Sequence, residues 1–234
     1  MASMALTTAK DVRARLEELA SPEELAKVRK RLAPDEPAIG LRMKALFDTA
    51  KEAAGMPLGE VEALLDDPAY EPRLAAFCIL DFKARKSLGS EELCEVYLRR
   101  HDRITTWDMV DRAAPRVVGG AVAGGPYDVL HELAKSSDPL RRRSAISAPL
   151  FFTQAGSTAD LAEGFALAAL LHDDPEPVVT NSVGIFLAYA GGRDRAELLR
   201  FLGEHGPSMP RPALRLAARK LPPAERQGVL APSR

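Results

Sequence analysis

An Asp-Pro dipeptide recurs along the chain, and an apolar helical run follows it each time. The dipeptides begin at Asp67, Asp138 and Asp174, at intervals of 71 and 36 residues. The longer interval accommodates two periods if residues 105–114 begin the missing unit, and residues 212–220 supply a fifth run about one period later. A helical repeat of this length is typical of solenoids, in which each helix pair buries its apolar face against its neighbours.

The composition favours helices over strands. Leu, Ala, Glu and Arg dominate, aromatic residues make up only 6%, and no segment alternates as a strand would. We therefore predict an all-α fold, an α-solenoid of HEAT-like helical repeats with a concave face. We expect a single HEAT-like repeat domain over residues 1–234, with N-terminal helices in 1–40, repeats in 41–221 and a flexible tail in 222–234.

The sequence lacks the signatures of several classes of enzyme. The chain has no P-loop, no strand-linked Gly-x-Gly-x-x-Gly, no His-Glu-x-x-His and no Gly-x-Ser-x-Gly, and its four histidines are scattered. We therefore expect neither a metal nor a cofactor. Two glycine pairs, Gly119-Gly120 and Gly124-Gly125, are interpreted as loop residues that separate helices. The net charge of −1 neither indicates nor excludes a nucleic-acid partner, because clustering of Lys and Arg decides that question.

The compartment is indicated by cysteine usage and by hydropathy. Cys78 and Cys94 each lie among apolar neighbours in a helical pattern, so we expect two buried thiols rather than a disulfide. The N-terminal residues lack the apolar core of a signal peptide, and no stretch approaches the roughly 18 apolar residues that a membrane span needs. We expect a cytoplasmic protein without a membrane association.

The only tryptophan lies in the segment Thr105-Thr106-Trp107-Asp108-Met109-Val110-Asp111. If Thr105 or Thr106 caps a helix, Trp107 and Asp111 are four residues apart and share one face, whereas Asp108 points elsewhere, toward the helix N-terminus. A core aromatic residue beside a solvated carboxylate is the structural alternative. An indole and a carboxylate exposed together would instead form a reactive surface.

A second cluster, Arg141-Arg142-Arg143, begins the helix of the next repeat. Three adjacent arginines cannot share one helix face, so at least one should point to the inner surface, where a guanidinium can bind phosphate. A solvated helix start is the structural alternative. Together the two clusters suit a cationic alkylated purine: the indole binds a cation or sugar, and the carboxylate stabilises positive charge on the deoxyribose.

The sequence resembles the AlkD-like family of HEAT-repeat DNA glycosylases over most of its length. The segment from Trp107 to Asp111 matches the family's Trp-Asp-x-Val-Asp motif, and Arg143-Ser144-Ala145-Ile146 matches its Arg-x-Ala-Ile motif. Weaker matches are Gly40-Leu41-Arg42-Met43 and residues 71–80, which carry Glu-x-Arg-x-x-Ala with its arginine at Arg73. The resemblance implies that Asp111 is the catalytic carboxylate, that Trp107 contacts the lesioned nucleotide, and that the DNA contacts include Arg143, Arg142, Arg42 and Arg73.

The chain departs from the family pattern in a later repeat. The family's Ala-Ile-Gly-Trp corresponds here to Ser182-Val183-Gly184-Ile185, so Ile185 replaces a second indole and Asn181 replaces a basic residue. The resemblance implies that a monomer excises N3- and N7-alkylated purines from duplex DNA on its concave face; the smaller Ile185 would also admit bulky adducts, as in antibiotic self-resistance. Two alternatives remain open: a non-catalytic protein that binds damaged or branched DNA, and a protein-binding scaffold.

Overall fold

The computed structural model describes residues 6–231, which are helical without a β-strand, so the all-α prediction is confirmed. None of the helices in this range is both long and apolar enough to cross a membrane. The α-helices are α1 (Ala9–Glu18), α2 (Pro22–Val28), α3 (Met43–Glu52), α4 (Leu58–Leu65), α5 (Tyr70–Ala84), α6 (Glu91–Arg99), α7 (Trp107–Ala114), α8 (Gly120–Val122), α9 (Asp128–Ala134), α10 (Pro139–Ser147), α11 (Phe152–Ala155), α12 (Thr158–Leu171), α13 (Pro177–Ala190), α14 (Arg195–His205), α15 (Arg211–Ala217) and α16 (Pro223–Leu230). Short 3-10 turns include Arg29–Arg31 and Ala218–Lys220, and a π-helical segment, Pro115–Gly119, follows α7.

The chain divides into two compact units between Ala113 and Ala114, near the end of α7. In the first unit, α3 and α4 pack against α5; in the second, α9 packs against α10, α10 against α13, and α13 against α15. This succession of packed neighbours is compatible with an α-solenoid. The single repeat domain over residues 1–234 stays a prediction.

The recurring Asp-Pro dipeptides have a common structural role. The carboxylates of Asp67, Asp138 and Asp174 each accept a hydrogen bond from the backbone N–H two residues ahead, at 2.8, 2.8 and 2.9 Å. Such a local bond supports a turn and not a continued helix, and the proline that follows has no N–H to extend the preceding helix. The helices α5, α10 and α13 begin within three residues of these aspartates, as the sequence pattern predicts.

A buried carboxylate of α5, that of Glu71, fixes the segment that precedes α3. The Glu71 carboxylate accepts the backbone N–H groups of Ile39 and Gly40, at 2.8 and 2.7 Å. Gly40 has a φ of +91°, and a Cβ there would lie 2.5 Å from Leu25, so only glycine fits. Two of the segments that resemble the family, around Gly40 and around Glu71, are therefore bonded to each other.

The structure corrects one glycine interpretation. Gly119 and Gly120 are not in a loop but in a helical stretch, where a Cβ on Gly119 would lie 2.1 Å from the carbonyl oxygen of Ala148. Gly124 and Gly125 do form a turn, with φ values of +87° and +75°. The segment predicted as a flexible tail contains α16, whose first residue is Pro223, and a proline suits the first helical position. Residues 232–234 lie outside the described part.

Both cysteines are free and buried, as predicted. Burial raises the pKa of Cys78 to about 12 and that of Cys94 to about 11. The reactive thiolate is therefore a minor species at neutral pH, and both residues serve as core side chains.

A buried carboxylate, Asp160, joins the turn before α9 to the start of α12. It accepts hydrogen bonds at 2.7 Å from the Gly124 N–H, from the Tyr127 hydroxyl and from both the N–H and the hydroxyl of Ser157. Burial alone would raise the pKa of Asp160, but these donors outweigh it and lower the pKa to about 2. Because the folded state binds the proton more weakly, Asp160 contributes stability above about pH 4, and this is lost as the pH falls toward 2.

We predict that Asp160→Asn lowers the free energy of unfolding by about 1–3 kcal/mol at pH 7, because the amide presents donors to a site made of donors. Urea denaturation of both proteins between pH 7 and pH 3 tests this. The difference should narrow below pH 4, whereas Asp102→Asn, at an exposed carboxylate, should change little. A constant difference over the whole range would show that the ionised carboxylate is not the stabilising group.

Candidate active site

A pocket of about 290 Å³ opens in the first unit between α3, α5, α7 and the turn Arg29–Arg31. Apolar side chains of the first two helices form its walls, and charged side chains lie at its edge. The lining residues are Arg31, Met43, Phe47, Leu74, Trp107, Asp108, Asp111 and Arg112. The predicted pair of Trp107 and Asp111 therefore lines one pocket.

Trp107 and Asp111 lie one turn apart on α7 and face the same pocket. The Trp107 side chain is 52% exposed, so the alternative of a core aromatic residue is wrong. Asp111 is half-buried. Both side chains are therefore accessible to a molecule in the pocket.

Asp108 also lines this pocket, so the prediction that it points away from Trp107 and Asp111 is wrong. It accepts a hydrogen bond from the hydroxyl of Tyr70, another at 2.5 Å from the Thr106 hydroxyl, and lies 3.6 Å from a guanidinium nitrogen of Arg31. Burial, and then the Asp108 charge, raise the pKa of Tyr70, so its hydroxyl stays protonated as a donor. Asp108 thus fixes the first turn of α7 against α5.

Arg112 supports the opposite side of the pocket. Its guanidinium lies over the rings of Phe47 and Phe82, 4.6 and 5.1 Å from their centroids, and 3.2 Å from the fully buried carboxylate of Asp81. The cation therefore joins α3, α5 and α7. Its neighbour in the chain, Asp111, is held at the pocket by this arrangement.

In the second unit, Arg142 and Arg143 are engaged with protein groups. Arg142 binds Asp174 through two bonds of 2.6 and 3.0 Å and also donates to the carbonyls of Ser136 and Ser137. Arg143 is only 4% exposed and donates to the carbonyl of Val178. Both guanidinium groups thus join α10 to the start of α13, and this geometry gives their predicted phosphate contacts no support.

The two predicted DNA-binding arginines of the first unit differ in exposure. Arg42 is exposed and has a loose ion pair with Glu24 at 3.5 Å. Arg73 is 6% exposed, pairs with Glu36 and donates to the Thr105 hydroxyl at 3.3 Å. Arg42 is therefore accessible to a phosphate, whereas Arg73 holds the segment before α7, and its predicted DNA contact is unsupported.

Asn181 and Ile185 are half-buried and lie one turn apart on α13, on a face that also carries the exposed Tyr189. Behind this face the helix packs closely: a Cβ on Gly184 would lie 2.5 Å from the carbonyl oxygen of Ala213. The two positions that depart from the family pattern thus share one partly accessible face.

Sequence reasoning missed several residues that shape the pocket. Arg31 lies at its edge, and the basic run Arg29-Lys30-Arg31 is the sequence signal that could have identified it. Phe47, Tyr70 and Arg112 gave no signal, because each is unremarkable in its own helical pattern. Residues 6–231 contain no group of three or more His, Cys, Asp or Glu side chains that could hold a metal ion.

Comparison with known proteins identifies a family for this chain. No curated protein matches the chain. A family model described as DNA alkylation repair enzyme matches residues 12–221, which is most of the sequence and includes every residue of the pocket. The chain therefore belongs to the DNA alkylation repair enzyme family.

Proposed function

We propose that this protein is a DNA glycosylase that hydrolyses the N-glycosidic bond of cationic N3- and N7-alkylated purines in duplex DNA. In this proposal it acts as a monomer, with neither metal nor cofactor. The observation that carries it is the exposed indole of Trp107 beside the Asp111 carboxylate in one pocket of a DNA alkylation repair enzyme. A protein that only bound DNA would not need that carboxylate, which repels phosphate.

The chemistry needs little from the protein, because an alkylated purine is already a good leaving group. The bond between C1′ of the deoxyribose and the purine nitrogen breaks, and its electron pair leaves with the base, which becomes neutral. Positive charge develops on the sugar, and the Asp111 carboxylate stabilises it electrostatically. Water then adds to C1′ and loses a proton to Asp111 or to solvent. The Trp107 ring binds the cationic nucleoside through its π face.

We predict that Asp111→Asn slows release of 7-methylguanine or 3-methyladenine from methylated duplex DNA by at least about 100-fold, because the amide cannot stabilise the developing cation. Release is measured by chromatography of the freed base under single-turnover conditions. Asp102→Asn, which makes the same change at an exposed carboxylate, should keep the wild-type rate. Equal background depurination by wild type and Asp111→Asn would reject the glycosylase and favour a non-catalytic protein that binds damaged or branched DNA.

We expect Ile185 to determine how large an adduct the site accepts. We propose that the smaller side chain leaves room for bulky N3-adenine adducts, and predict that Ile185→Trp lowers their excision relative to 7-methylguanine. The expected change in the rate ratio is roughly 2- to 30-fold, the equivalent of one cation–π contact. Ile185→Leu is the size-matched control. An unchanged ratio in Ile185→Trp would remove this position from the lesion site.

Among the predicted arginines, Arg42 is the best candidate for a phosphate contact because its guanidinium is exposed and its ion pair is loose. We predict that Arg42→Gln weakens binding to unmodified duplex and reduces the slope of log K against log salt by about 0.9, the value for one phosphate. Fluorescence anisotropy between about 50 and 200 mM salt measures both the affinity for the duplex and the slope. Lys44→Gln, at an exposed residue paired with Asp48, is the control and should keep the slope.

A further inference from the structure

Two cations of the second unit converge on one exposed tyrosine ring. Tyr189, in the last turn of α13, is 42% exposed. The Lys220 ammonium nitrogen lies 3.5 Å from its ring centroid, and the Arg219 guanidinium carbon lies 5.5 Å from it. The ring fixes two long side chains that would otherwise move freely in water. We call these three residues the Tyr189 patch.

The charge of the Tyr189 patch has no counter-ion among the described residues. Neither Arg219 nor Lys220 has a carboxylate at ion-pair distance there, and the same holds for Arg215, one turn before Arg219. Arg195 pairs with Glu225, and Arg200 pairs with Glu197 and Glu204, whereas the exposed Arg211 and Arg226 have no carboxylate at ion-pair distance among the described residues. The Tyr189 patch is set apart because two adjacent cations lie against one ring. Adjacent like charges held in place without a carboxylate are arranged for an anion from outside.

The position of the Tyr189 patch relates it to the proposed DNA contacts. Tyr189 follows Ile185 by four residues and Asn181 by eight, so the three share one face of α13. Eight residues of α-helix span about 12 Å, which corresponds to three to four base pairs of duplex at about 3.4 Å each. A duplex lying along this face would therefore bring a neighbouring backbone phosphate to the patch.

We infer that the Tyr189 patch is a phosphate-binding site for the DNA backbone, about three to four base pairs from the nucleotide that faces Asn181. This inference rests on the proposed function in one respect, the choice of duplex DNA as the polyanion. Arg219 and Lys220 supply the charge, and Tyr189 holds them in position. The patch contributes affinity without contacting the lesion.

The test is a salt titration with an unmodified duplex labelled for anisotropy. Arg219→Gln/Lys220→Gln should reduce the slope of log K against log salt by about 1–2, the value for one or two phosphates, and weaken binding several-fold. Arg195→Gln/Arg200→Gln removes the same charge from paired arginines and should leave the slope unchanged. Tyr189→Phe should retain the wild-type slope because it keeps the ring, whereas Tyr189→Ala should weaken binding.

The outcomes separate this inference from the glycosylase proposal. Equal slopes for Arg219→Gln/Lys220→Gln and wild type, or an equal loss in both double variants, would overturn the patch even if wild type releases methylated bases. Absence of salt-dependent duplex binding by wild type would overturn it as well. A reduced slope in Arg219→Gln/Lys220→Gln alone supports the patch, even where wild type releases no base and the glycosylase proposal fails.

Discussion

The ion pair between the buried carboxylate of Asp81 and the half-buried Arg112 holds together the part of the molecule on which the candidate site depends. Its carboxylate has no exposure, and its cation lies between two phenylalanine rings from two helices. Asp81 also pairs with Arg85 at 2.9 Å, so replacing Asp81 would leave two guanidinium groups without their carboxylate, whereas replacing Arg112 would leave Asp81 one cation. The pair also determines where Asp111 is, since a residue adjacent to Arg112 in a helix has little freedom to move.

The helices and the central pair of the site were predictable from the sequence, for local reasons. The aspartate side chains at the repeated breaks bond within two residues, and Trp107 and Asp111 share a face because they are four residues apart. Both relations involve neighbours in the chain. The fold class and the shared face of Trp107 and Asp111 follow from such short-range rules.

The partners of the arginine side chains could not be predicted from the sequence in the same way. Arg73 and Arg142 pair with carboxylates 37 and 32 residues away, and Arg143 donates to a carbonyl 35 residues away. A basic cluster looks the same in the sequence whether its side chains bind acceptors within the protein or groups of a bound partner. The distinction depends on acceptors supplied by other helices, so resemblance alone assigned to DNA three guanidinium groups that the fold uses itself. Arg42 differs from these three arginines because its one ion pair, with Glu24 at 3.5 Å, is loose and its side chain stays exposed.

The half-exposed indole at the pocket has a practical consequence. The chain contains one tryptophan, so its tryptophan emission, excited selectively over that of the tyrosines, comes from a single known place. A nucleobase stacked on that ring would quench the emission, and contact with the backbone elsewhere would not. The protein thus carries its own optical reporter, which separates occupancy of the pocket from general attachment to DNA without any added dye.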